Sequence, residues 1–277
     1  LKGGYSMVRS LWTAASGMNA QQTNVDTIAN NLANVNTAGY KSQAVQFKSL
    51  FYQTLQSATT TADGNPKPTT AQVGLGTRVS AITQSFEQGP LLKNDSPSAF
   101  AISGDGFFSF LDGKDQTCYT RNDNFSWALD ENENLLLTTE EGNLVLDVKG
   151  RIITIENCVS SKIEIDSEGK INYPDNEGNL RQIGDFQIGL WQFSNKEGLE
   201  RIGSSSWIAT LASGEAINED SGLVEKSIIS QHFLEGSNVN VAAEMVNLIS
   251  AQRSYELNSV AIKTADEMMQ TANQIKR

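Results

Sequence analysis

The sequence predicts an α+β protein in which paired terminal helices, forming a coiled coil, carry an inserted β-rich domain through an extended connecting region. Three observations give this prediction: a helical apolar period at the N-terminal end, another at the C-terminal end, and closely spaced strand and turn patterns between them. The chain has 277 residues, which is long enough for two or three domains.

The N-terminal segment carries the first helical pattern. Apolar and small residues recur in alternating steps of three and four, which is the a/d pattern of a coiled-coil helix. The opposite face is neutral and polar rather than charged, and Gly39 is predicted to end the helix. The positions of the a/d pattern are Val8, Leu11, Ala15, Met18, Gln22, Val25, Ala29 and Leu32.

The C-terminal segment carries the matching helix. Asn240 is predicted to cap its N-terminus, and Glu244 lies near the positive end of the helix dipole. Its apolar residues cover so wide an arc that we expect contacts with more than one neighbour. The first stripe is Met245, Leu248, Tyr255, Ile262 and Met269, and the second stripe is Val246, Ile249, Leu257, Val260 and Met268.

Strand and turn patterns fill the middle of the chain. Residues 57–72, rich in Thr, Pro and Ala, are predicted to form a linker or an extended loop. Residues 100–113 predict two strands around a tight Gly-Asp-Gly turn. Further hairpins are predicted where apolar runs flank a glycine, in residues 134–155 at Gly142 and Gly150 and in residues 162–173 at Gly169.

Composition argues against several kinds of partner and location. The formal net charge of −11 argues against nucleic acid and against an anionic membrane surface, since both bind through Lys and Arg. No apolar run approaches the roughly 20 residues of a membrane-spanning helix, so we expect a protein that is not membrane-embedded. The first residues lack the apolar core of a cleaved signal peptide, which by itself predicts a cytoplasmic protein. We interpret residues 1–6, which precede Met7, as an upstream extension or an added segment, outside the fold prediction.

Catalytic and metal-binding motifs are not recognisable in the sequence. His232, the single histidine, lies far in sequence from Cys118 and Cys158. These cysteines are too far apart for a metal or redox motif, and we interpret them as small buried hydrophobes, with a disulfide left open. A calcium-loop spacing that starts at Asp130 fails because Leu135 occupies the position that requires glycine.

We therefore expect no enzyme, no catalytic residue, no cofactor and no metal. Trp127, Trp191 and Trp207 are predicted to be core residues rather than a sugar-binding platform. Carboxylate pairs that cleave glycosidic bonds stay open as an alternative, because Asp and Glu are abundant and their separation in space is unknown. Nearly all of them lie in turn patterns, where acidic residues are expected in any case.

Both ends of the chain resemble one known family. Residues 7–56, which include NNLANVNTAGYK, closely resemble the N-terminus of bacterial flagellar rod and hook proteins, and that stretch is the signature of the family. LEGSNVNVAAEMVNLISAQRSYELNSVAIKTADEMMQ, residues 234–270, resembles its C-terminal motif. A looser resemblance extends over most of the chain and is carried by VGLGTRV, QGPLLKNDSPSAFAISGDGFF and YTRNDNF. It is weaker between about residues 130 and 225. Asp123 stands where the family usually has glycine, which puts the tight turn of the family in doubt and allows a longer or bulged loop.

The resemblance implies a function and a location. Distal rod proteins are the members most similar to this chain, which implies a structural subunit of a rigid tubular drive shaft that transmits torque from motor to hook. Such subunits are exported by the flagellar type III apparatus without a cleaved signal peptide. The expected location is therefore the periplasm-spanning rod rather than the cytoplasm. The implied partners are copies of itself in a helical homopolymer, proximal rod proteins and the hook protein as axial neighbours, and rod-surrounding rings where present.

The resemblance also implies domain boundaries. D0, the coiled coil of the assembled tube, comprises residues 1–41 and 236–277, and the β-rich D1 domain comprises residues 99–212. Residues 42–98 form the connecting region with a distal-rod-type insertion, and residues 213–235 form the return connection.

We expect the polymer contacts to come from both ends. A helical tube repeats one heterologous interface without closing, so each subunit must offer apolar surface in several directions. We expect four asparagines to form hydrogen bonds with backbone or with neighbouring subunits: Asn30, Asn31, Asn34 and Asn36. A side-chain amide can both donate and accept hydrogen bonds, and burying it avoids the desolvation cost of a charge. The expected apolar contacts are Leu11, Met18, Val25, Leu32, Met245, Leu248, Tyr255, Ile262 and Met269. The segment that stiffens the rod is expected to contain Phe51, Tyr52 and Leu55.

Two other functions stay open. The first is a proximal rod or hook protein of the same family. The second, from a different class, is a secreted β-domain on a helical stalk that binds envelope glycan. A cell-wall hydrolase ranks third.

Overall fold

The computed structural model describes residues 2–56, 71–130, 133–156, 158–174, 180–203 and 205–275. These residues fall into two units, each assembled from separate stretches of chain. Unit 1 takes in residues 1–33, 43–84 and 240–277, and unit 2 takes in residues 34–42 and 85–239. Of the predicted linker, residues 57–70 lie outside the described part of the chain.

Unit 1 consists of two long helices and a β-ribbon. Its elements are α1 (Lys2–Ala33), β1 (Gln43–Ser49), β2 (Tyr52–Gln56), β3 (Ala71–Gly74), β4 (Thr77–Gln84) and α2 (Val241–Ile275). The predicted cap of α2 is confirmed, because the Asn240 side chain accepts a hydrogen bond from the Ala243 N–H (3.2 Å).

Helix α1 ends at Ala33, so the prediction that Gly39 ends it is wrong. The chain turns immediately afterwards, and both the backbone N–H and the hydroxyl of Thr37 bond to Asn34, at 3.2 Å each. Asn and Thr form such local bonds in competition with the helical ladder, which accounts for the early end.

Small residues lie in the contact between α1 and α2. Gly17 lies against Asn258, whose amide nitrogen would be 3.0 Å from a Cβ at that glycine. Buried alanines share these two faces, three residues on either side of Gly17 and seven on either side of Asn258: Ala14, Ala20, Ala251 and Ala265. Small side chains at such a contact let the two helices approach closely.

The strands of unit 1 form one continuous antiparallel ribbon. β1 pairs with β4, and β2 pairs with β3. Between the two pairs, the Leu50 N–H bonds to the Gly76 carbonyl (2.9 Å) and the Leu75 N–H bonds to the Phe51 carbonyl (3.2 Å). The ladder therefore continues from one strand pair into the other, with a register shift within each pair.

Unit 2 is β-rich. Its strands are β5 (Leu91–Lys93), β6 (Phe100–Ser103), β7 (Phe107–Leu111), β8 (Thr117–Thr120), β9 (Phe125–Leu129), β10 (Leu135–Thr139), β11 (Leu144–Val145), β12 (Thr154–Ile155), β13 (Glu164–Ile165), β14 (Lys170–Pro174), β15 (Leu180–Gln187), β16 (Leu190–Gln192), β17 (Glu200–Gly203), β18 (Ser206–Ile208), β19 (Ile217–Asn218), β20 (Ile228–Gln231) and β21 (Phe233–Glu235). Short 3-10 turns occupy Ser160–Lys162, Lys196–Gly198 and Glu219–Ser221.

These strands pair into one large sheet and several small ones. The large sheet runs β12-β10-β11-β7-β8-β18-β17, with β9 on β10, β16 on β7 and β19 on β16. β13-β14-β15 form a three-stranded sheet, and β20 pairs with β6 and β21 with β5. The main core beneath them contains Phe100, Ile102, Phe108, Phe125, Leu137, Val145, Ile153 and Ile171, and a second cluster contains Phe107, Tyr119, Phe193 and Trp207.

The glycine turns in unit 2 match the sequence predictions. Gly142, Gly150 and Gly169 all have a positive φ at the ends of paired segments. The predicted hairpin of residues 100–113 is only half right. β6 and β7 both exist, but β6 pairs with β20 and β7 with β8, β11 and β16. The reason is that β6 meets a partner distant in sequence, whereas β7 forms its hairpin with the following strand, β8.

Candidate functional site

The two predicted stripes of α2 differ in exposure. Leu248, Tyr255, Ile262 and Met269 are half-buried, and they share the seven-residue repeat of Ala251, Asn258 and Ala265, which is the side that packs on α1. Met245, at the start of this stripe, is exposed. The second stripe is solvent-facing throughout: Val246, Ile249, Leu257, Val260 and Met268 are 49–70% exposed.

The exposed stripe has its own period. Val246, Leu257 and Met268 are spaced by 11 residues, as are Ile249 and Val260. An 11-residue repeat advances by just over three whole turns, so these side chains form a nearly straight band along the helix. Helix α2 thus presents a seven-residue pattern to α1 and an 11-residue pattern to solvent.

The buried face of α1 is not the predicted one. Leu11, Met18, Val25 and Leu32 are half-buried, and Gln22 and Ala29 are exposed. Among residues 9–33 of the helix, whose side chains the structure describes, the buried ones are Ala14, Ala20, Thr27, Ile28 and Asn31. Small and polar residues thus make the tightest contacts of α1, because both α2 and the ribbon pack on it. Trp12, which the a/d pattern does not include, is 72% exposed.

Asn31 joins α1 to the ribbon. Its side chain is fully buried, Nδ2 donates to the Gln43 carbonyl (2.8 Å) and Oδ1 accepts from the Gln43 N–H (2.9 Å). Its expected pairing with backbone is therefore seen within one chain. Asn34 is half-buried, whereas Asn30 and Asn36 are exposed.

The ribbon runs back along α1 and is attached at two further points. The Thr77 N–H donates to the Ser16 hydroxyl (3.3 Å), and Arg9 Nη1 donates to Gln53 Oε1 (3.1 Å). From Asn31 to Arg9 the helix advances by about 33 Å at 1.5 Å per residue. From Gln43 to Gln53 the strand also advances by about 33 Å at 3.3 Å per residue. The helix and the ribbon therefore advance by the same distance between the first and the last attachment point.

Gly76 permits the close approach of ribbon and helix. Its φ is +112°, and a Cβ there would lie 2.1 Å from the Ser16 hydroxyl. Beyond this contact the ribbon exposes aromatic side chains, since Phe51 is 88% and Tyr52 is 63% exposed. The side chain of Leu55, the third residue of the predicted rigid segment, lies outside the described part of the structure.

The two asparagine-rich sequences meet in unit 2. The Asn238 side chain accepts from the Ser42 N–H (2.7 Å) and donates to the Ser85 and Glu87 carbonyls (2.9 and 3.1 Å). The Asn238 N–H also donates to the Tyr40 carbonyl (3.4 Å). This last bond joins NNLANVNTAGYK directly to GSNVN, and the others join GSNVN to the residues that follow Lys41 and to residues 85–87.

We call this region the junction and define it as residues 39–42, 85–89, 121–123 and 235–238. Gly39 has a φ of +65°, and a Cβ there would lie 2.6 Å from the Arg121 carbonyl, so its role is close packing in the junction.

Asp123 is a buried acid within the junction. Its carboxylate accepts a hydrogen bond from the Glu235 N–H, and burial raises its pKa to about 7, against the lowering effect of that bond. Its backbone is not in the left-handed region, so the position does not require glycine. The loop between β8 and β9 is ordered by local bonds, in which Asn122 accepts from the Asn124 N–H (3.1 Å).

Chemistry-bearing residues elsewhere are dispersed. Within the described residues, no group of three or more His, Cys, Asp or Glu is placed to hold a metal ion. Cys118 is buried and Cys158 half-buried, both as free thiols, and His232 is exposed. Trp207 is buried, and Trp127 and Trp191 pack against the two cores, as predicted. No described helix is long and apolar enough to cross a membrane.

Comparisons with known families give the class of the protein. Residues 11–41 match the profile described as flagella basal body rod protein, and residues 230–275 match the C-terminal profile of flagellar basal body rod FlgEFG proteins. Residues 101–173 match the D1 domain profile of flagellar hook protein FlgE/F/G. The matched regions lie in the terminal helices, the junction and the β-unit, which defines a flagellar rod or hook-type protein with an α+β fold.

Relatives narrow the class further. The flagellar basal-body rod protein FlgG of Borreliella burgdorferi is 42% identical over 98% of this chain and 100% of its own length. FlgG of Caulobacter vibrioides is 40% identical over 97% of this chain and 100% of its own. In Bacillus subtilis, FlgG is 36% identical and the flagellar hook-basal body complex protein FlhP is 30% identical, each over 98% of this chain and 100% of its own. The chain belongs to the FlgG family of flagellar basal-body rod proteins and is a structural subunit of the flagellar distal rod.

Proposed function

We propose that the chain builds the distal rod by polymerising through its terminal helices into a rigid helical tube that transmits torque from motor to hook. The observation that carries this proposal is the exposed apolar stripe of α2, whose residues recur at a spacing of 11. It comprises Val246, Ile249, Leu257, Val260 and Met268. A contiguous apolar face of this kind is a typical interaction surface. A second copy is its natural occupant, since a rod subunit must bury the same face in every repeat of the polymer.

The half-buried apolar residues of α1 extend this interface. Leu11, Met18, Val25 and Leu32 keep part of their surface free, and Trp12 adds a large exposed ring. With Met245, Leu248, Tyr255, Ile262 and Met269 on α2, they are the proposed inner-layer contacts. Asn30 and Asn34 are proposed to bond across subunits, and Asn31 serves within the chain.

In this proposal the terminal helices form the coiled-coil domain D0, and residues 99–212 form D1. The close contact of α1 and α2 through small residues supports the first assignment. Residues 42–98 act as the connecting region and residues 213–235 as the return connection.

The ribbon is the proposed stiffening element. It is attached to α1 through Asn31, Ser16 and Arg9, and this attachment opposes bending of the helix. Phe51 and Tyr52, which the ribbon exposes, together with Leu55, would contact a neighbouring subunit.

Location and partners follow from the family. We propose a periplasm-spanning rod whose subunits leave the cell through the flagellar type III apparatus without a cleaved signal peptide. Proximal rod proteins and the hook protein are the proposed axial neighbours, with surrounding rings where present. The subunit is proposed to act without catalysis, cofactor or metal.

Electron microscopy of the purified protein, with and without both terminal segments, tests the proposal. Tubes or filaments that require the terminal segments are expected. A monodisperse monomer that binds envelope glycan at every concentration would instead favour the stalked binding module.

The ribbon distinguishes a distal rod protein from a hook protein. Deleting residues 51–72 should turn a straight polymer into a curved one. A polymer that stays straight after the deletion would contradict the stiffening role.

A further inference from the structure

Four charged side chains lie buried together in the junction: Lys41, Arg121, Asp123 and Glu235 are each at most 2% exposed. Burying an ion costs several kcal/mol even after relaxation, and well-packed apolar residues often stabilise a protein as well as a buried ion pair does. Stability alone is therefore a weak explanation of this cluster.

Glu235 is at the centre of the cluster. Its Oε1 accepts from Lys41 Nζ and from the Gly89 N–H (2.8 Å each), and its Oε2 accepts from Arg121 Nη1 (3.0 Å). Its own carbonyl accepts from the Gly39 N–H (2.8 Å). With the bond from its N–H to the Asp123 carboxylate, Glu235 thus bonds five other residues on three other stretches of chain.

Lys41 completes the connection. Besides Glu235, its ammonium donates to the Glu87 carbonyl (2.8 Å). The stretches involved are those at which the chain leaves or re-enters unit 2, since the unit is interrupted after Ser42, resumes at Ser85 and ends at Val239. The Lys41–Glu235 pair therefore lies where three chain crossings come together.

We propose that Glu235 is a positioning residue that, through Lys41, holds these three crossings in one fixed arrangement and so determines where the chain of the rod subunit leaves unit 2 after Ser42 and Val239 and where it returns at Ser85. The role in the rod rests on the proposed function, whereas the arrangement itself is a property of unit 2. A charged pair suits this task because its hydrogen bonds are directional, and apolar packing would let the segments slide past one another.

The surrounding groups act differently on the two members of the pair. Burial raises the pKa of Glu235, but Arg121 and Lys41 outweigh it, so the pKa is lowered. Burial and Arg121 lower the pKa of Lys41, and Glu235 opposes them. Asp123 is the fourth ionisable group of the cluster, and the Lys196–Asp105 ion pair is the nearest charged pair around it.

Hydrogen exchange on the full chain tests the proposal. In Lys41→Met we expect amide exchange to rise at least tenfold in residues 37–42 and 85–90, while β7 and β10 in the core stay protected. The matched control is Lys149→Met, which removes an exposed ion pair with Asp185 from the same unit and should change neither segment. Unchanged exchange in the junction, or an equal rise throughout unit 2, would overturn the proposal.

If the variant does not fold, native-state hydrogen exchange of the unaltered protein provides a second test. The amides of Gly39, Ser42, Ser85 and Gly89 donate within the junction and should open together, at a lower free energy than the core. Separate opening of each amide, or opening only with global unfolding, would contradict one shared arrangement.

The readout does not depend on polymerisation. Cooperative junction opening in a chain that never forms filaments would refute the proposed function and leave the positioning role standing. If instead the protein forms filaments but Lys41→Met leaves exchange in the junction unchanged, the proposed function would stand and the positioning role would be refuted.

Discussion

Asn31 bonds both the N–H and the carbonyl of Gln43 through its side-chain amide. A helix residue thereby supplies the two hydrogen bonds that a neighbouring strand would give to the first residue of β1. The contact is fully buried on the Asn31 side. The asparagine-rich signature therefore includes an internal attachment of the ribbon to α1.

Replacing Asn31 by alanine should destabilise unit 1. The change leaves two backbone groups of Gln43 without their partner, and each buried unpaired group costs about 1–3 kcal/mol. We expect a loss of roughly 2–4 kcal/mol in the unfolding free energy, measured by urea unfolding followed by circular dichroism. Asn19→Ala, at an exposed site on the same helix, is the control and should change stability by less than about 0.5 kcal/mol. Equal effects of the two changes would contradict the role of Asn31.

The sequence was informative about Asn31 only up to a point. Its residue type and uncharged surroundings predicted a paired amide, but nothing local identified Gln43 as the partner. The same limit explains the burial pattern of α1. Periodicity located a helix, but the buried face depends on the ribbon, whose position along the helix no local pattern encodes.

Unit 2 shows the same division between local and distant information. The turns at Gly142, Gly150 and Gly169 were predictable because a glycine with positive φ between apolar runs is a local signal. The pairing of β6 with β20 was not, since more than a hundred residues separate them. The buried setting of Asp123 was equally hidden, because Glu235 and Lys41 come from two stretches that are distant in sequence.

Gly76→Ala should loosen the ribbon from α1. The new Cβ would meet the Ser16 hydroxyl and would also force an alanine into a φ of +112°, so we expect a loss of about 2 kcal/mol or more in urea unfolding. Adding Ser16→Ala removes the clash with the hydroxyl but keeps the backbone strain and deletes the acceptor of the Thr77 N–H, so the double variant should recover only part of the loss. Gly113→Ala, where a Cβ meets nothing within 4 Å, is the control. A full recovery in the double variant would show that backbone strain is absent.

Asp123→Asn should stabilise the protein above neutral pH. The pKa of Asp123 is raised by burial from 3.8 to about 7, so the folded protein holds a proton there that the unfolded chain has lost between those values. The stabilising effect of this proton is full below about pH 4 and is lost as the pH rises through about 7. A shift of this size corresponds to roughly 4 kcal/mol, and the buried amide of asparagine offsets part of it.

The pH dependence of unfolding checks this prediction. We expect the Asp123→Asn variant and the parent to differ little at pH 3, and the variant to be more stable by about 1–3 kcal/mol at pH 8. Asp185→Asn, at an exposed ion pair, is the comparison and should not reproduce this profile. A variant less stable than the parent at pH 8 would mean that Asp123 is held as a favourable carboxylate.

The two stripes of α2 should separate folding from assembly. Leu257 belongs to the exposed stripe and Ile262 to the stripe packed on α1. Because Leu257 is solvent-facing in the single chain, Leu257→Gln should change the unfolding free energy by less than about 0.5 kcal/mol. If a neighbouring subunit buries it, the same change removes about 1.5–3 kcal/mol per contact and raises the critical concentration for polymerisation about tenfold or more.

Ile262→Gln should instead lower the unfolding free energy, by about 1–2 kcal/mol, because part of its apolar surface is already buried within the chain. Its exposed part is a proposed inner-layer contact, so polymerisation should weaken as well, but less than in Leu257→Gln. Urea unfolding and sedimentation of polymer from monomer measure the two quantities on the same preparations. Glu256→Gln, an exposed change next to Leu257, controls for the altered surface. If Leu257→Gln polymerised at the parent concentration while Ile262→Gln did not, the subunit contact would have to lie on the α1-facing stripe, and the 11-residue band would have no part in the rod wall.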